Sequence, residues 1–260
     1  MVPADIKATL GLVAVGAART IPLAWSIPAF GGPSLPGQIR MAMGIGLSFL
    51  CLPVLGGRPP SVGAVLWGLI VAREVMVGIV MGFVCACMFR AAEAAGQFTD
   101  VLRGASMAEV LSPTGESRSS PLGALLLLLA AVVFFEMGGL VHVSSALVRS
   151  YEAIPLSAPA RFAVSPRAMA TVVTAASAKL IESAIGLCAP VVVALLIADI
   201  LLGMVGRAVP QIPIYFVGMP LKALLGVGAV LLGVAGLDTA LHAGFRGFFD
   251  LLGAAFRLRP

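Results

Sequence analysis

Charged side chains are scarce in this chain: Asp, Glu, Lys and Arg make up 11% of its 260 residues, whereas hydrophobic residues make up 60%. A soluble globular domain carries about 25% charged residues. The composition therefore excludes an ordinary soluble domain and predicts an integral membrane protein. Because no stretch has the composition of a separate soluble domain, we expect one domain over residues 1–260.

The chain also lacks the usual signals of catalysis. Its two histidines, His142 and His242, stand far apart and in no His-Glu-x-x-His motif. It has neither a phosphate-binding Gly-rich loop ending in Gly-Lys-Ser/Thr nor a Gly-x-Ser-x-Gly nucleophile elbow. Nothing marks a nucleophile among the candidate serines Ser144, Ser145, Ser177 and Ser183, which lie within apolar runs. We therefore expect a non-enzymatic protein without cofactor or metal.

Cysteine is rare as well. The four residues Cys51, Cys85, Cys87 and Cys188 all lie inside apolar runs. The Cys-Ala-Cys spacing at 85–87 fits neither a zinc knuckle nor a redox Cys-x-x-Cys motif. We predict that these cysteines are small buried hydrophobic residues.

The formal net charge is +5, but the basic residues are scattered rather than clustered. A nucleic-acid-binding protein would show a basic stripe interleaved with aromatic residues, so we expect no nucleic-acid partner. The positive excess suits the anionic headgroups of a lipid membrane.

Long apolar runs separated by Gly- and Pro-rich turns predict an all-α, integral membrane-type fold. We expect six or seven long hydrophobic helices, many of them kinked, arranged as helical hairpins. The first run is strongest from Ala8 to Ala18, is interrupted by Arg19 and continues weakly to Phe30. No small-residue cleavage site follows Arg19, which predicts a retained first membrane segment. The runs cover residues 8–30, 39–55, 62–89, 121–148, 170–205, 212–237 and 245–256.

Two of these runs, residues 121–148 and 170–205, are longer than the roughly 20 residues that cross a bilayer. Pro190 inside the second run predicts a kink or a break. Arginines stand on both sides of the first run, so the distribution of positive charge does not fix the orientation of the helices.

Ionisable residues interrupt the apolar runs, which is costly in lipid unless they are paired or face protein or water. Lys179 and Glu182 lie three residues apart and can pair on one helix. The acids Glu74, Glu136 and Asp199 have no such neighbour, so their partners should come from other helices or other chains. We favour buried polar or subunit contacts over a proton relay for the whole set, which is Arg73, Glu74, Glu136, Lys179, Glu182, Asp199 and Lys222.

A polar island, EVLSPTGESRSSPLG at residues 109–123, interrupts the apolar sequence. Its breakers Pro113, Gly115 and Pro121, together with five hydroxyl side chains, predict a loop. Loops held by a rigid apolar scaffold often carry function. This loop, residues 111–121, separates N-terminal helices (1–110) from C-terminal helical hairpins (122–260).

Two segments resemble the FliR/SctT family. The first is EAAGQFTDVLRG at residues 93–104, followed by the polar island and a long apolar helix that ends near Ile154-Pro-Leu156. The second is GRAVPQIPIYFVGMPLK at residues 206–222. The positions that match the family pattern are Gly96, Gly104, Arg207, Pro210, Gln211, Phe216, Gly218 and Pro220, with Lys222 after them.

The resemblance implies a multi-pass subunit of the type III export apparatus in the bacterial inner membrane, shared by flagella and injectisomes. By this resemblance the chain joins sister subunits of the R, S and U types in a closed-end helical export gate through which unfolded substrate proteins pass. Charges inside its over-long helices would face other subunits, and the Ser-Ser-Pro-Leu ending of the loop is similar to the injectisome branch.

In the resembling family this loop projects into the pore as part of a plug. Carried over, the plug comprises Leu111, Ser112, Pro113, Thr114, Gly115, Glu116, Ser117, Arg118, Ser119, Ser120 and Pro121. A polar loop bounded by prolines can sit in a wet lumen and move without unfolding its scaffold. The simpler interpretation is a plain surface turn.

Two other functions remain open from the residues themselves. In a secondary transporter, Glu74, Glu136 and Asp199 would be coupling carboxylates, and Pro190 and Pro210 would mark broken helices. No inverted repeat supports this alternative. The other alternative is a purely structural membrane scaffold or assembly factor.

Overall fold

The computed structural model describes residues 3–28, 35–55, 63–104, 120–156, 166–209, 211 and 214–255. Across these ranges the regular structure is helical, without a β-strand. Runs rich in Ala, Leu, Val and Gly satisfy their backbone hydrogen bonds within the helix, as an apolar environment requires. The prediction of an all-α fold is confirmed.

The described part of the chain contains nine helices. We number them α1 (Pro3–Ser26), α2 (Gly37–Leu50), α3 (Leu52–Leu55), α4 (Ala64–Leu102), α5 (Pro121–Glu136), α6 (Gly139–Ala153), α7 (Pro166–Ala208), α8 (Ile214–Leu232) and α9 (Val234–Ala255).

The first of two compact units comprises residues 1–87, 134–178 and 246–260. Its helices approach closely where side chains are small. A Cβ atom at Gly78 of α4 would overlap the carbonyl oxygen of Arg19 on α1, and one at Gly44 of α2 would lie 2.8 Å from the Cα of Ile21. The Thr20 hydroxyl donates a hydrogen bond to the Gly44 carbonyl at 2.7 Å. Helix α1 thus contacts α2 and α4 backbone to backbone.

The second unit comprises residues 88–133 and 179–245. Its core contains Met88 and the edge-to-face pair of Phe89 and Phe245, whose ring centroids lie 5.3 Å apart. Leu195 of α7 and Leu241 of α9 are also buried. Each unit therefore has its own apolar core.

Some helix boundaries differ from those expected from the apolar runs. Helix α4 continues to Leu102, beyond the predicted end at residue 89, because the four alanines between Arg90 and Gly96 have a high helix propensity. Helix α9 runs through residues 238–244, where we expected a separation, and the break lies instead at Gly233. Pro190 does not break α7, which is continuous from Pro166 to Ala208. One proline removes a single helical hydrogen bond, and 43 residues of apolar helix outweigh that loss.

Two helices, α4 and the Arg167–Ala208 part of α7, are long and apolar enough to cross a membrane. The pairs α5 with α6 and α8 with α9 also qualify if each bent pair counts as one span, with local bends of 69° and 62° at their breaks. By length and composition the described chain thus offers two to four membrane spans, in agreement with the prediction of a membrane-type protein.

Candidate functional site

The structure describes the residues on both sides of segment 105–119, which contains most of the predicted plug loop. Residues 105–119, and with them residues 111–119 of the loop, lie outside the described residues. On one side α4 ends at Leu102 and Gly104 follows with a positive φ of 83°, a backbone conformation that glycine adopts readily. On the other side Ser120 directly precedes Pro121, the first residue of α5. We call the contacts between these two sides the loop anchor; it comprises Asp100, Arg103, Ser120 and the backbone of Leu122.

Asp100 of α4 is the centre of the loop anchor. Its Oδ2 atom accepts hydrogen bonds from the Ser120 hydroxyl at 2.5 Å and from the Leu122 backbone N–H at 3.0 Å. The Ser120 hydroxyl oxygen in turn accepts the Gly123 N–H at 3.0 Å. The first N–H groups of a helix have no partner within the helix, and a negative charge is favourable beside them. One carboxylate on α4 therefore caps the start of α5.

Arg103 extends the loop anchor toward a cavity in the second unit. Its Nε atom donates to Asp100 Oδ1 at 2.6 Å, and both side chains are nearly buried. Asp199 of α7 and Lys222 of α8 form an ion pair in the same unit. Arg103, Asp199 and Lys222 line a cavity of about 340 Å³, together with Gly104, Leu202, Gly203, Gly218 and Met219. The second unit thus holds a cavity beside the end of α4 whose lining includes three charged side chains.

Gly96 lets α4 approach the start of α5. A Cβ atom at this position would overlap the Leu122 carbonyl and come 2.5 Å from the Gly123 nitrogen. Both groups are backbone and cannot move aside as a flexible side chain would. The loop anchor therefore requires a glycine at position 96, since any side chain there would collide with the backbone of α5.

Replacing Gly96 with alanine is expected to lower the free energy of unfolding by about 1–3 kcal/mol, because the added methyl group forces α4 and α5 apart. Gly186 of α7 is a matched control, since a Cβ atom there meets open space. Gly186→Ala should leave stability unchanged or raise it by about 0.5–1 kcal/mol. Thermal unfolding of the detergent-purified variants measures both. Equal stability of the two variants would contradict the close approach.

A second group of polar residues lies in the core of the first unit. We call Arg19, Arg73, Glu74, Ser150 and Tyr151 the buried charge cluster. Arg19 and Glu74 are fully buried, and Arg19 Nε donates to Glu74 Oε2 at 2.8 Å. Arg73 donates to the other oxygen, Oε1, through Nε at 3.1 Å and Nη2 at 2.8 Å. A single carboxylate on α4 is thus shared by two guanidinium groups.

The other residues of the buried charge cluster, with the Ile154 carbonyl, bind the remaining N–H groups and the face of the Arg19 guanidinium. Its Nη1 donates to the Ser150 hydroxyl at 2.8 Å and its Nη2 to the Ile154 carbonyl at 3.3 Å. The guanidinium carbon lies 4.2 Å from the centre of the Tyr151 ring, a cation–π contact. Tyr151 donates its hydroxyl proton to the Gly16 carbonyl at 3.0 Å. These contacts join α1, α4 and α6.

The buried charge cluster carries an excess of positive charge, because two arginines face one glutamate. Arg73 Nη1 is buried and has no hydrogen-bond acceptor among the residues that the structure describes. Burying such a group without a partner costs free energy. Arg73 is therefore the incompletely satisfied member of the cluster.

The other ionisable residues singled out from the sequence occupy different environments. Asp199 and Lys222 pair across two helices, as Arg19 and Glu74 do. Glu136, Glu182 and Asp199 are exposed in this chain, and Lys179 and Lys222 are half-buried. Contact of these residues with other subunits stays a prediction, as does pairing of Lys179 with Glu182.

The family-pattern positions divide into two groups. Gly96 and Gly104 belong to the surroundings of the loop anchor, and Gly218 is buried, with its Cβ position 3.1 Å from a Leu202 methyl group. The remaining described positions are exposed on or near α7 and α8: Arg207, Gln211, Phe216 and Pro220. Pro210 lies outside the described residues. These four side chains lie at the surface of the described chain.

All four cysteines are buried and free, which confirms the prediction made from their apolar surroundings. Burial raises the pKa of the Cys51 thiol, which keeps it protonated and unreactive at neutral pH.

Sequence reasoning missed two residues that organise these sites. In the sequence, Arg19 is noticeable only because it interrupts the first apolar run. The available signal was that an arginine in one apolar helix and a glutamate in another have opposite charges and can pair. Asp100 stands inside the family-like segment without a predicted role of its own. Its position three residues before Arg103 was the available signal, since residues at this spacing face each other on a helix.

Comparison with known proteins places these sites in a family. The sequence model described as "Bacterial export proteins, family 1" matches residues 10–247. The chain is 29% identical to the secretion system apparatus protein SsaT of Salmonella typhimurium over 239 residues, 88% of each chain. It is 30% identical to the Yop proteins translocation protein T of Yersinia pestis over 214 residues, 80% of each chain.

A flagellar relative shows the same extended similarity. The flagellar biosynthetic protein FliR of Caulobacter vibrioides is 25% identical over 237 residues, which cover 90% of this chain and 92% of the relative. The family match includes the loop anchor, the buried charge cluster and both family-like segments, all within residues 10–247. The chain therefore belongs to the bacterial export proteins of family 1, the FliR/SctT family of type III export.

Proposed function

We propose that this protein is a non-catalytic subunit of the type III export gate in the bacterial inner membrane. It helps to form the closed entry pore through which unfolded proteins leave the cytoplasm. The observation that carries the proposal is the family match over residues 10–247, with relatives named for a secretion apparatus, protein translocation and flagellar biosynthesis.

The loop anchor supports a role for residues 111–121 as a pore plug. Asp100 connects the end of α4 to the start of α5 through one buried and one partly buried hydrogen bond. A segment whose two attachment points are fixed can change position without disturbing the helices that carry it. The scaffold and the moving part are then separate pieces of the chain.

The surface of the second unit supports membership of a larger membrane complex with R-, S- and U-type subunits. Large apolar side chains on α7 and α8 are more than half exposed, among them Ile197, Ile200, Leu224 and Leu231. Apolar surfaces of this extent are covered by lipid or by other protein.

Site-specific photo-crosslinking in the assembled apparatus tests the proposal. A photoreactive residue at Ser117 should form an adduct with a secreted protein that is stalled in transit, because the plug loop lines the export path. The matched control is Ile181 of α7, which is exposed in the chain but lies outside the plug loop. Adducts from Ser117 only to other subunits would favour a structural assembly factor over a gate subunit.

A further inference from the structure

The first two helices form an antiparallel hairpin in the first unit. Gly44 of α2 lies against Ile21 of α1, and the guanidinium carbon of Arg40 on α2 lies 5.4 Å from the centre of the Trp25 ring on α1. Residue numbers thus fall along α2 as they rise along α1. Trp25 stands in the last turn of α1 and Arg40 in the first turn of α2. We call these two side chains the tip pair, because they mark one end of the hairpin.

The tip pair carries a positive charge that the described part of the chain does not compensate. Arg40 forms no ion pair with a described carboxylate, and its buried Nε atom has no acceptor among the described residues. The side chain as a whole is only half-buried, and Trp25 beneath it is 50% exposed. A guanidinium stacked on an aromatic ring keeps N–H donors at its edge for an anion. The charge is therefore within reach of a ligand from outside the chain.

An apolar stripe of α1 leads away from the tip pair. Ile21, Ala18 and Ala14 follow Trp25 at spacings of four, three and four residues, so all four lie on one side of the helix. Ala14 is exposed, and Ala18 and Ile21 are half-buried. From Trp25 to Ala14 the helix rises about 16 Å, and one leaflet of a bilayer has a hydrocarbon depth of about 15 Å. The stripe is thus as long as one acyl chain.

Helix α2 is apolar on several sides that α1 does not cover. Only Gly44 and Ser48 are buried in this helix. Its large exposed side chains are Ile39, Met41, Ile45, Phe49 and Leu50. A single partner helix covers one narrow stripe, whereas lipid covers all free sides of an apolar helix.

The position of the tip pair at a helix end also favours lipid. Tryptophan and arginine concentrate where apolar helices meet the headgroups, and basic side chains there attract anionic lipids. Among the described helices, α1 and α2 are not long and apolar enough to cross a membrane. A site for one lipid requires the depth of only one leaflet.

We propose that the tip pair binds the phosphate group of an anionic phospholipid, with one acyl chain along Ile21, Ala18 and Ala14. The Arg40 guanidinium donates to the phosphate oxygens, and the Trp25 ring lies at the level of the headgroup. The inference requires a membrane protein and does not require the export-gate role. Its failure would therefore leave the proposed function untouched.

The fluorescence of Trp25 in the detergent-purified full chain tests the proposal. Trp67→Phe leaves Trp25 as the single tryptophan, since the chain has two. Brominated phosphatidylglycerol should quench this fluorescence at about a fivefold lower mole fraction than brominated phosphatidylcholine, the factor expected for one basic side chain near an anionic headgroup. Arg40→Gln should remove the difference between the two lipids. Arg40→Lys, which keeps the charge, should retain most of it.

A matched control and two further measurements make the outcomes distinct. Arg90 is 61% exposed but is already paired with Glu93, so Arg90→Gln should leave the lipid preference unchanged. Excess inorganic phosphate should not compete with phosphatidylglycerol, because it gains nothing from the apolar stripe. In the assembled apparatus, a photoreactive residue at Ala18 should form an adduct with lipid.

Four results would overturn the lipid site. They are equal quenching by the two brominated lipids, an unchanged lipid preference in Arg40→Gln, competition by inorganic phosphate, and adducts from Ala18 with protein only. Competition by phosphate would indicate a site for the free anion. Adducts with protein only would show that a neighbouring subunit covers this side of α1.

Discussion

Replacing Glu74 with glutamine is expected to destabilise the first unit more than any surface substitution. Glu74 is fully buried and is the shared partner of Arg19 and Arg73. Removing one partner of a buried ion pair leaves a desolvated charge and typically costs about 3–5 kcal/mol. We expect a lower free energy of unfolding of this size, or failure to accumulate in the membrane, measured by thermal unfolding in detergent and by immunoblot.

The exposed Glu182 provides the control, because Glu182→Gln makes the same chemical change outside the core. A double substitution gives a second readout. Arg19→Met together with Glu74→Met should cost clearly less than the sum of the two single changes, since no isolated Arg19 or Glu74 charge is left behind. If Glu74→Gln were as stable as Glu182→Gln, the buried charge cluster would have no role in holding the first unit together.

Replacing Asp100 with alanine is the second change with a large expected effect. It removes the acceptor for the Ser120 hydroxyl and the Leu122 N–H and leaves Arg103 without its ion-pair partner. We expect a loss of about 3 kcal/mol in the free energy of unfolding. If residues 111–121 are the plug of an export gate, as proposed, the assembled apparatus should also leak ions, because the attachment of the plug to the scaffold is loosened.

Ser120→Ala separates the helix cap from the ion pair, since it removes one hydroxyl and leaves Asp100 bound to Arg103 and Leu122. Its cost should be about 1 kcal/mol, the usual value for a capping side chain. Ion conductance of cells that express the assembled complex measures leakage, and co-purification of the other subunits measures assembly. If Asp100→Ala reduced the amount of assembled complex and the remaining complexes did not leak, the loop anchor would have only a structural role.

The helices themselves were predictable from the sequence because their cause is local. Long apolar runs without the alternating apolar and polar pattern of a β-strand satisfy their backbone N–H and C=O groups within a helix. The ends of the helices were less predictable. Asp238 and His242 interrupt an apolar run in the sequence, but a continuous helix accommodates both four residues apart, and the bend falls at Gly233 instead.

The sequence predicted that the ionisable residues in apolar helices have partners on other helices, but it did not predict which residues these partners are. The absence of a complementary cation at helical spacing from Glu74 and Asp199 indicated partners on other helices, and Arg19 and Lys222 are such partners. Choosing Arg19 requires knowing that α1 and α4 touch at Gly78, which is a property of the packed fold. Periodicity along the chain contains no such information.

The loop anchor shows the same limit more sharply. The polar island and its breakers predicted a loop, and the family resemblance supplied its possible role. The contact that fixes the loop to the scaffold joins residues 20 apart, Asp100 and Ser120. This hydrogen bond forms because the end of the loop lies beside Asp100 in the folded chain. The amino-acid composition of the loop does not determine which residue of α4 lies there.

The bond between Arg19 and Glu74 has a consequence for the order of synthesis. The two residues are 55 positions apart, so at ribosomal rates of about 5–20 residues per second Arg19 precedes its partner by roughly 3–11 s. During that interval Arg19 has no carboxylate partner. The buried charge cluster, and with it the contact between α1 and α4, therefore cannot be completed until α4 has been translated.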